Sequence, residues 1–153
     1  LSIQSVLVIA DGVPRFANAM TSRPAVGVRL RLQGLAEDIV VANIHAVSGG
    51  GANSPRLLRE ISWHANTPYV LLGDFNRDPR AADAQHPDRG DWVSPPDIAQ
   101  VIQANGSTHP STSPQNMLDY AVSDGAMGPL LPGAVDVAGP SDHLAVSYSF
   151  NFT

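Results

Sequence analysis

The residues of this chain that are best suited to chemistry follow its predicted strands. Gly73-Asp74-Phe75-Asn76 comes directly after the apolar run 69–72, which predicts a buried strand. Asp74 and Asn76 are two residues apart, so their side chains can point the same way. Together they could orient the water shell of a hard divalent cation and donate a hydrogen bond to a phosphate oxygen. The alternative interpretation is an Asx turn that serves only the local backbone.

A second group of polar residues lies near the C-terminal end, where Ser141-Asp142-His143 precedes the apolar run 144–148. Asp142 and His143 are adjacent, so on an extended backbone one can reach a metal while the other reaches a reacting water. An imidazole with an ordinary pKa of about 6.5 is available as a general base, and Asp119 is the best candidate to fix its tautomer. Alternatively, the tripeptide is a helix cap or a polar loop cluster.

His45 and Arg23 complete the set of candidate residues. His45 ends a predicted strand just before the glycine-rich loop 48–51. As an imidazolium it could stabilise a scissile phosphate or protonate a leaving oxygen, and otherwise it is structural. Arg23 could hold a phosphate through two hydrogen bonds, and otherwise it is a solvated surface residue. The remaining histidines stand in predicted helix or loop context and receive no role: His64, His86 and His109.

Composition limits the class of protein. The chain has 153 residues, of which 43% are apolar and 15% charged, and this is typical of one globular domain. The absence of cysteine excludes a disulfide framework, a thiolate metal site and a cysteine nucleophile. The net charge is −5, so no overall basic field indicates nucleic-acid binding, although every basic residue is an arginine, which suits phosphate contacts. No apolar run is long enough to span a bilayer.

Apolar patterning predicts a mostly stranded chain with two helices. Asn53 or Ser54, followed by Pro55, predicts a helix that runs to about residue 65, and a second helix is predicted over 94–105. Strands are predicted over six apolar or alternating runs, the first of them buried: 3–10, 24–32, 39–46, 69–74, 117–122 and 144–150. This order of elements indicates an α/β or α+β layered sandwich.

The order of the short motifs resembles that of a known superfamily. The motifs are Arg23-Pro24, Asn43-Ile44-His45, Gly73-Asp74-Phe75-Asn76, Leu118-Asp119-Tyr120 and Ser141-Asp142-His143. They resemble the endonuclease/exonuclease/phosphatase superfamily, which has the deoxyribonuclease-I-like fold. The longer runs 22–27, 73–79 and 118–122 are most similar to the catalytic B-subunit family of the cytolethal distending toxins. The resemblance covers nearly all of residues 1–150.

This resemblance implies a fold and a set of residue roles. The fold is a four-layer αββα sandwich, of which residues 1–153 are the C-terminal portion of a single domain. The implied roles belong to seven residues near predicted strand ends: His143 as general base, Asp119 as its partner, His45 as second active-site histidine, Asp74 and Asn76 as residues that orient the nucleophile and hold phosphate and metal, Asp142 as metal-side carboxylate, and Arg23 as phosphate contact.

Two acidic residues that the resemblance leads us to expect have no counterpart here: the principal metal-binding glutamate and the carboxylate that supports the residue matching His45. The superfamily's principal metal-binding glutamate lies in its N-terminal half, whereas the glutamates of this chain, Glu37 and Glu60, fall in a predicted turn and a predicted helix. We therefore expect a complementing N-terminal segment, either on a longer polypeptide or on a second chain. Without it, strand edges and apolar faces would be uncovered.

The resemblance also implies cofactor, substrate and location. Mg²⁺ is the expected cofactor, with Mn²⁺ or Ca²⁺ as alternatives, and the DNA phosphate backbone is the expected substrate. Toxin-type delivery subunits, secretion, and action in the nucleus of a target cell are further expectations. Two alternatives stay open: a phosphatase acting on phosphoinositides or other phosphomonoesters, and a half-domain that binds without catalysis.

Overall fold

The computed structural model of the chain describes residues 1–10, 23–49, 51, 53–79, 100–124, 126, 131–136 and 139–150. Within these residues lie one α-helix, α1 (Ser54–Ala65), and eight β-strands: β1 (Ser2–Ile9), β2 (Ala25–Arg31), β3 (Ile39–His45), β4 (Tyr69–Asp74), β5 (Gln100–Ile102), β6 (Asp119–Ser123), β7 (Ala134–Val135) and β8 (Val146–Ser147).

Six of the strands form one mixed sheet in the order β1-β2-β3-β4-β6-β5. β3 and β4 are parallel and are connected through α1, because parallel neighbours require a crossover. The other neighbouring pairs in this sheet are antiparallel. β7 and β8 pair with each other as a separate two-stranded sheet. The crossover brings the C-terminal ends of β3 and β4 to the same edge of the large sheet.

The helix α1 forms where the sequence predicts it. It follows Asn53 and carries Pro55 in its first turn, and Leu57, Leu58 and Ile61 are buried against the sheet. Full burial of one such aliphatic side chain stabilises a fold by about 1.5–3 kcal/mol. Asn53 does not cap the helix with its side chain; instead its Oδ1 accepts a hydrogen bond from the backbone N–H of Val47. The start of α1 is thereby held to the loop that follows β3.

Alternating side chains of β3 divide the core between the two faces of the sheet. Val40 and Ala42 belong to the cluster that contains α1, whereas Ile39 and Val41 belong to a second cluster. Tyr148 and Phe150, which follow β8, pack against the second cluster. The described residues therefore form a mixed α/β layered structure, as the order of predicted elements indicates.

The prediction that the first strand is buried is wrong. β1 is an edge strand, and Ile3, Val6 and Val8 are 64%, 65% and 70% exposed. Val26, beside Val8 in the register with β2, is 48% exposed. These side chains share one face of the sheet, and no described residue covers it there.

The predicted helix over 94–105 is also wrong where the structure describes it. Residues 100–102 form β5, which pairs antiparallel with β6 and alternates Val101 and Ile102 between the two core clusters. Pairing with β6 thus decides the conformation of this short apolar run. Residues 94–99 lie outside the described residues.

Two further strands differ in their bounds from the prediction. β6 begins at Asp119 instead of 117, and β8 covers only Val146–Ser147 of the predicted strand 144–150. The backbone N–H of Leu144 donates to Thr108 in a loop, which leaves no regular ladder there. Among the described residues, no helix has the length and apolar character needed to cross a bilayer.

Candidate active site

Three of the predicted residues form one row across adjacent strands. In the parallel pair of β3 and β4, His45 lies beside Asp74, and in the antiparallel pair of β4 and β6, Asp74 lies beside Asp119. All three residues therefore stand at the same edge of the sheet, two at strand ends and one at a strand start. We call His45, Asp74 and Asp119 the strand-end row.

Gly73 allows β3 and β4 to approach closely just before this row. Its φ is +134°, a value that residues with a side chain rarely adopt. A Cβ atom at this position would lie 2.1 Å from the carbonyl oxygen of Ile44, which is an overlap with backbone. Glycine is therefore required at the residue that delivers Asp74 to the row.

Asp74 and Asn76 form the Asx turn that the alternative interpretation of their motif predicts. The backbone N–H of Asn76 donates to Oδ1 of Asp74 at 2.7 Å, and Nδ2 of Asn76 donates to Oδ2 of Asp74 at 3.0 Å. Asn76 adopts a left-handed conformation, with φ of 50°, as this turn requires. The turn fixes the Asp74 carboxylate in the row, so the local role and a functional role are compatible.

His143 joins the row through Asp119. Its Nδ1 lies 2.7 Å from Oδ2 of Asp119, and both side chains are largely buried. Burial alone would lower the pKa of His143, but the hydrogen bond and negative charge of Asp119, with the charges of Asp74 and Asp142, outweigh it and raise that pKa. With Nδ1 engaged by a carboxylate, Nε2 is the nitrogen left to accept a proton.

Asp74, Asp119 and His143 form a compact group with the chemistry of a cation site. One ligand atom from each lies within 4.8 Å of the other two. Burial is the main reason that the pKa of Asp74 is raised; the charge of Asp119 raises it further, while the hydrogen bond from Asn76 and the charges of His143 and His45 lower it. Two half-buried carboxylates so close together favour a neutralising cation, and carboxylate and amide oxygens suit Mg²⁺. These residues therefore fit a divalent metal ion.

His45 and Arg23 lie on the open side of the row. Nε2 of His45 is 3.6 Å from Oδ2 of Asp74, and the His45 side chain is 62% exposed. Arg23 is exposed and donates to the backbone carbonyl of Ala46 at 3.3 Å, the same oxygen that accepts from Nδ2 of Asn76. The guanidinium and the amide thus meet at one carbonyl, and Nδ2 of Asn76 donates both of its N–H groups within the protein, to this carbonyl and to Asp74.

The structure groups Asp142 with His109 and His143, whereas Asp74 is grouped with Asp119 and His143. Asp142 is 81% exposed and lies beside His109, with Oδ2 3.9 Å from Nε2 of that histidine. His109, Asp142 and His143 form a second group whose ligand atoms lie within 4.8 Å of one another. The role of Asp142 as a metal ligand stays a prediction. Sequence reasoning gave His109 no role, because a single histidine in a Ser/Thr/Pro-rich loop carries no periodic or motif signal.

Thr108 is a second residue that sequence reasoning missed. It is fully buried, and its Oγ1 accepts hydrogen bonds from the backbone N–H groups of Leu118 and Asp119, at 3.1 and 3.2 Å. Its carbonyl accepts from the N–H of Leu144, the residue after His143, at 2.8 Å. One buried residue therefore holds both chain segments that bring His143 and Asp119 together.

The two glutamates lie away from this site, as predicted. Glu37 is exposed in the connection between β2 and β3, and Glu60 is on α1, 3.5 Å from His64. Among the described residues, neither belongs to a group that could hold a metal ion.

Comparison with known proteins gives a family and a fold. Residues 21–143 match the Endonuclease/Exonuclease/phosphatase family. No curated protein sequence matches the chain. Cytolethal distending toxin of Actinobacillus actinomycetemcomitans has a chain of similar structure, with a TM-score of 0.67 and 22% identity over 98% of this chain and 60% of that one. For the Haemophilus ducreyi cytolethal distending toxin the TM-score is 0.69 and the identity 23%, over 99% and 60%.

A phosphatase is similar to the same degree. The mannosyl-6-phosphatase of Bacteroides thetaiotaomicron superposes with a TM-score of 0.68 and 17% identity, over 99% of this chain and 67% of that one. At these identities the likeness shows the fold alone, and that fold is deoxyribonuclease-I-like, as predicted. The chain spans about 60% of the length of the toxin chains.

Proposed function

The chain belongs to the endonuclease/exonuclease/phosphatase family, whose members are hydrolases, and we propose that it hydrolyses phosphodiester bonds of DNA with Mg²⁺. The observation that carries this proposal is the strand-end row with His143 bound to Asp119 at 2.7 Å. A base, its orienting carboxylate and a second carboxylate within 4.8 Å are the groups that activation of water beside a phosphate requires.

In this proposal His143 is the general base. Asp119 holds the proton on Nδ1 of His143, so that Nε2 carries the lone pair and can take a proton from water. The raised pKa makes the neutral imidazole a stronger base, at the cost of a smaller neutral fraction below that pKa. General base catalysis of this kind contributes about 10²–10⁴ in rate.

The open side of the site binds the phosphate. The Arg23 guanidinium, beside the carbonyl of Ala46, brings N–H donors and a positive charge. Asn76 would contact the phosphate by exchanging one of the bonds that its Nδ2 donates to Asp74 and to Ala46. His45, exposed at the end of β3, is placed to donate a proton to a phosphate or leaving-group oxygen. These groups would stabilise negative charge as it develops on the oxygens.

Asp74 and Asn76 are the residues that would hold the divalent cation, with Asp142 as a further candidate. The ion, when bound, supplies positive charge that stabilises the phosphoryl oxygens. We propose Mg²⁺ because Asp74 and Asn76 offer oxygen ligands. Mn²⁺ and Ca²⁺ also bind oxygen ligands and are the alternatives.

A phosphomonoester is the second candidate substrate. The fold is as similar to a mannosyl-6-phosphatase as to the toxins, so the fold does not favour either substrate. The net charge of −5 gives a polyanion such as DNA no general advantage. The toxin-like motif runs 22–27 and 73–79 are what favour DNA.

Parallel assays with the same protein sample separate these substrates. With the complementing N-terminal segment present, we expect nicking of supercoiled plasmid in Mg²⁺, with little phosphate release from a phosphoinositide or a sugar phosphate. His64→Ala, which removes an exposed histidine on α1, is the matched control and should retain the rate. Phosphate release without plasmid nicking would replace the DNA proposal with the phosphatase. No hydrolysis of any substrate, even with a complementing segment added, would favour a non-catalytic half-domain.

We also propose that further strands cover the exposed face of β1 and β2. Ile3, Val6, Val8 and Val26 form an apolar patch on one face of the sheet. Exposed patches of this kind mark interaction sites. A complementing N-terminal segment, on a longer polypeptide or a second chain, is the proposed occupant. Its addition should lower the exposure of β1 to hydrogen exchange; unchanged exchange would contradict this proposal.

Secretion, toxin-type delivery subunits and action in a target-cell nucleus are proposals of the same standing. They are supported only by the similarity to cytolethal distending toxins. Co-purification of delivery subunits with the chain from culture medium would support them, and retention of the chain inside the producing cell would argue against them.

A further inference from the structure

We infer that His109, Asp142 and His143 form a second metal site, selective for a transition metal ion such as Zn²⁺. Asp119 of the strand-end row binds Nδ1 of His143, and this site uses the other ring nitrogen, Nε2. It shares Asp142 with the candidate Mg²⁺ ligands and includes His143, the proposed base, but its two imidazole nitrogens distinguish it from the oxygen donors of Asp74 and Asn76. We call these three residues the His-Asp-His site.

The geometry of the His-Asp-His site suits a single small ion. One ligand atom from each residue lies within 4.8 Å of the other two, and Nε2 of His109 is 3.9 Å from Oδ2 of Asp142. The two imidazole rings are 4.6 Å apart at their centroids and tilted by 44°. Tetrahedral zinc with ligand bonds of about 2.0–2.2 Å needs donor atoms roughly 3.3 Å apart. The exposed side chain of Asp142 can close this difference by rotation.

The available nitrogens are defined by the surroundings of each ring. Nδ1 of His143 is engaged by Asp119, so Nε2 is its free donor. Nδ1 of His109 is buried without a hydrogen-bond partner among the described residues, so Nε2 is the nitrogen that faces Asp142. We therefore assign Nε2 of each ring to the ion.

The His-Asp-His site and the proposed Mg²⁺ site differ in the type of their ligand atoms. Two imidazole nitrogens and one carboxylate form a ligand set that is common for Zn²⁺, whereas oxygen donors suit Mg²⁺. Asp119, which binds the far nitrogen of His143, acts as the second-layer carboxylate that orients a zinc-binding histidine. Three protein ligands would leave one tetrahedral position of a bound Zn²⁺ for water.

Hydrogen bonds hold the two segments of the site together. The backbone N–H of Ser111 donates to the carbonyl of Asp142 at 2.7 Å, and Oγ of Ser111 donates to the carbonyl of Ser141 at 2.7 Å. The backbone N–H of Leu144, next to His143, donates to the carbonyl of Thr108, next to His109. The backbones of segments 108–111 and 141–144 are thus held together before any ion binds, which reduces the ordering cost of binding.

The consequence for activity rests on the proposed function. An ion bound to Nε2 of His143 occupies the lone pair that the general base needs. Zn²⁺ should therefore inhibit hydrolysis that Mg²⁺ supports, at zinc concentrations that saturate the His-Asp-His site. Binding of zinc itself does not depend on the hydrolytic function.

Calorimetric titration of Zn²⁺ into the chain, with excess Mg²⁺ present, tests the site directly. We expect one saturable equivalent, and a Kd that rises at least about 10-fold in His109→Gln and in Asp142→Asn. His64→Gln, which removes a histidine beside Glu60 outside the site, should bind zinc like the wild type. Thermal unfolding checks that each variant is folded. If His109→Gln does not fold, Asp142→Asn still tests the site, because the Asp142 side chain is exposed.

Three results would overturn the inference: no saturable zinc binding, wild-type binding by folded Asp142→Asn, or an equal loss in His64→Gln. In hydrolysis assays, the zinc concentration that halves the rate should rise at least about 10-fold in His109→Gln, with each variant normalised to its own zinc-free rate. If the chain hydrolyses nothing but still binds zinc as described, the proposed function fails and the site stands.

Discussion

Nδ1 of His143 lies 2.7 Å from Oδ2 of Asp119, although 24 residues separate them along the chain. Asp119 occupies the start of β6, beside Asp74 at the end of β4. This contact therefore links a loop histidine to the strand-end row, and it sets both the tautomer and the pKa of the proposed base.

Asp119→Asn should move the acidic limb of the activity profile to lower pH. Asp119 raises the pKa of His143, so a neutral amide should lower that pKa and leave the imidazole unprotonated at more acidic pH. The maximal rate should also fall, because the amide no longer enforces the proton on Nδ1. The measurement is log kcat/KM against pH; an unmoved acidic limb would contradict the role of this pair.

Thr108→Val should lower activity because it displaces Asp119, although Thr108 itself has no proposed chemical role. The substitution removes the acceptor for the N–H groups of Leu118 and Asp119, and each buried unpaired donor costs about 1–3 kcal/mol. We expect a lower Tm, a lower kcat and an acidic limb shifted as in Asp119→Asn. Thr108→Ser keeps the hydroxyl and should restore all three. A stability loss with an unchanged pH profile would reduce Thr108 to a structural residue.

Gly73→Ala should destabilise the protein far more than Gly34→Ala. Both glycines have positive φ, which alone costs an alanine about 1–2 kcal/mol. Only Gly73 would place its Cβ 2.1 Å from a backbone oxygen, that of Ile44, whereas nothing lies within 4 Å at Gly34. Chemical denaturation of both variants measures the difference. Equal losses of unfolding free energy would show that β3 and β4 separate easily.

Removal of divalent cations by a chelator should abolish hydrolysis, and Mg²⁺ should restore it. Asp74→Asn should raise the Mg²⁺ concentration for half-maximal rate by about 10-fold or more, since a carboxylate ligand is lost. Glu60→Gln, on α1 beside His64, is the matched control and should keep the wild-type requirement. Identical Mg²⁺ dependence in Asp74→Asn and wild type would remove Asp74 from the cation site.

The sequence predicts the positions of the site residues well because the strand ends bring them together. His45, Asp74 and Asp119 each adjoin an apolar run, and the β3-α1-β4 crossover aligns the first two in space. The position of Asp142 beside His109 could not be predicted, since residues 141–144 have no periodic pattern.

Burial and loop contacts are what the sequence did not reveal. The apolar run of β1 predicts a buried strand, yet Val8 is 70% exposed, because burial depends on what covers a face and not on the strand alone. β5 is too short for periodicity to separate strand from helix, and pairing with β6 decides it. Thr108 acts through loop hydrogen bonds, which composition does not encode.

The plasmid-nicking rate of His143→Ala in Mg²⁺, relative to wild type, tests the central claim most directly. The proposed general base predicts a loss of about 10²–10⁴, with wild-type folding and with His64→Ala unaffected. Nicking by His143→Ala at the wild-type rate would contradict the assignment of the strand-end row and His143 as the active site.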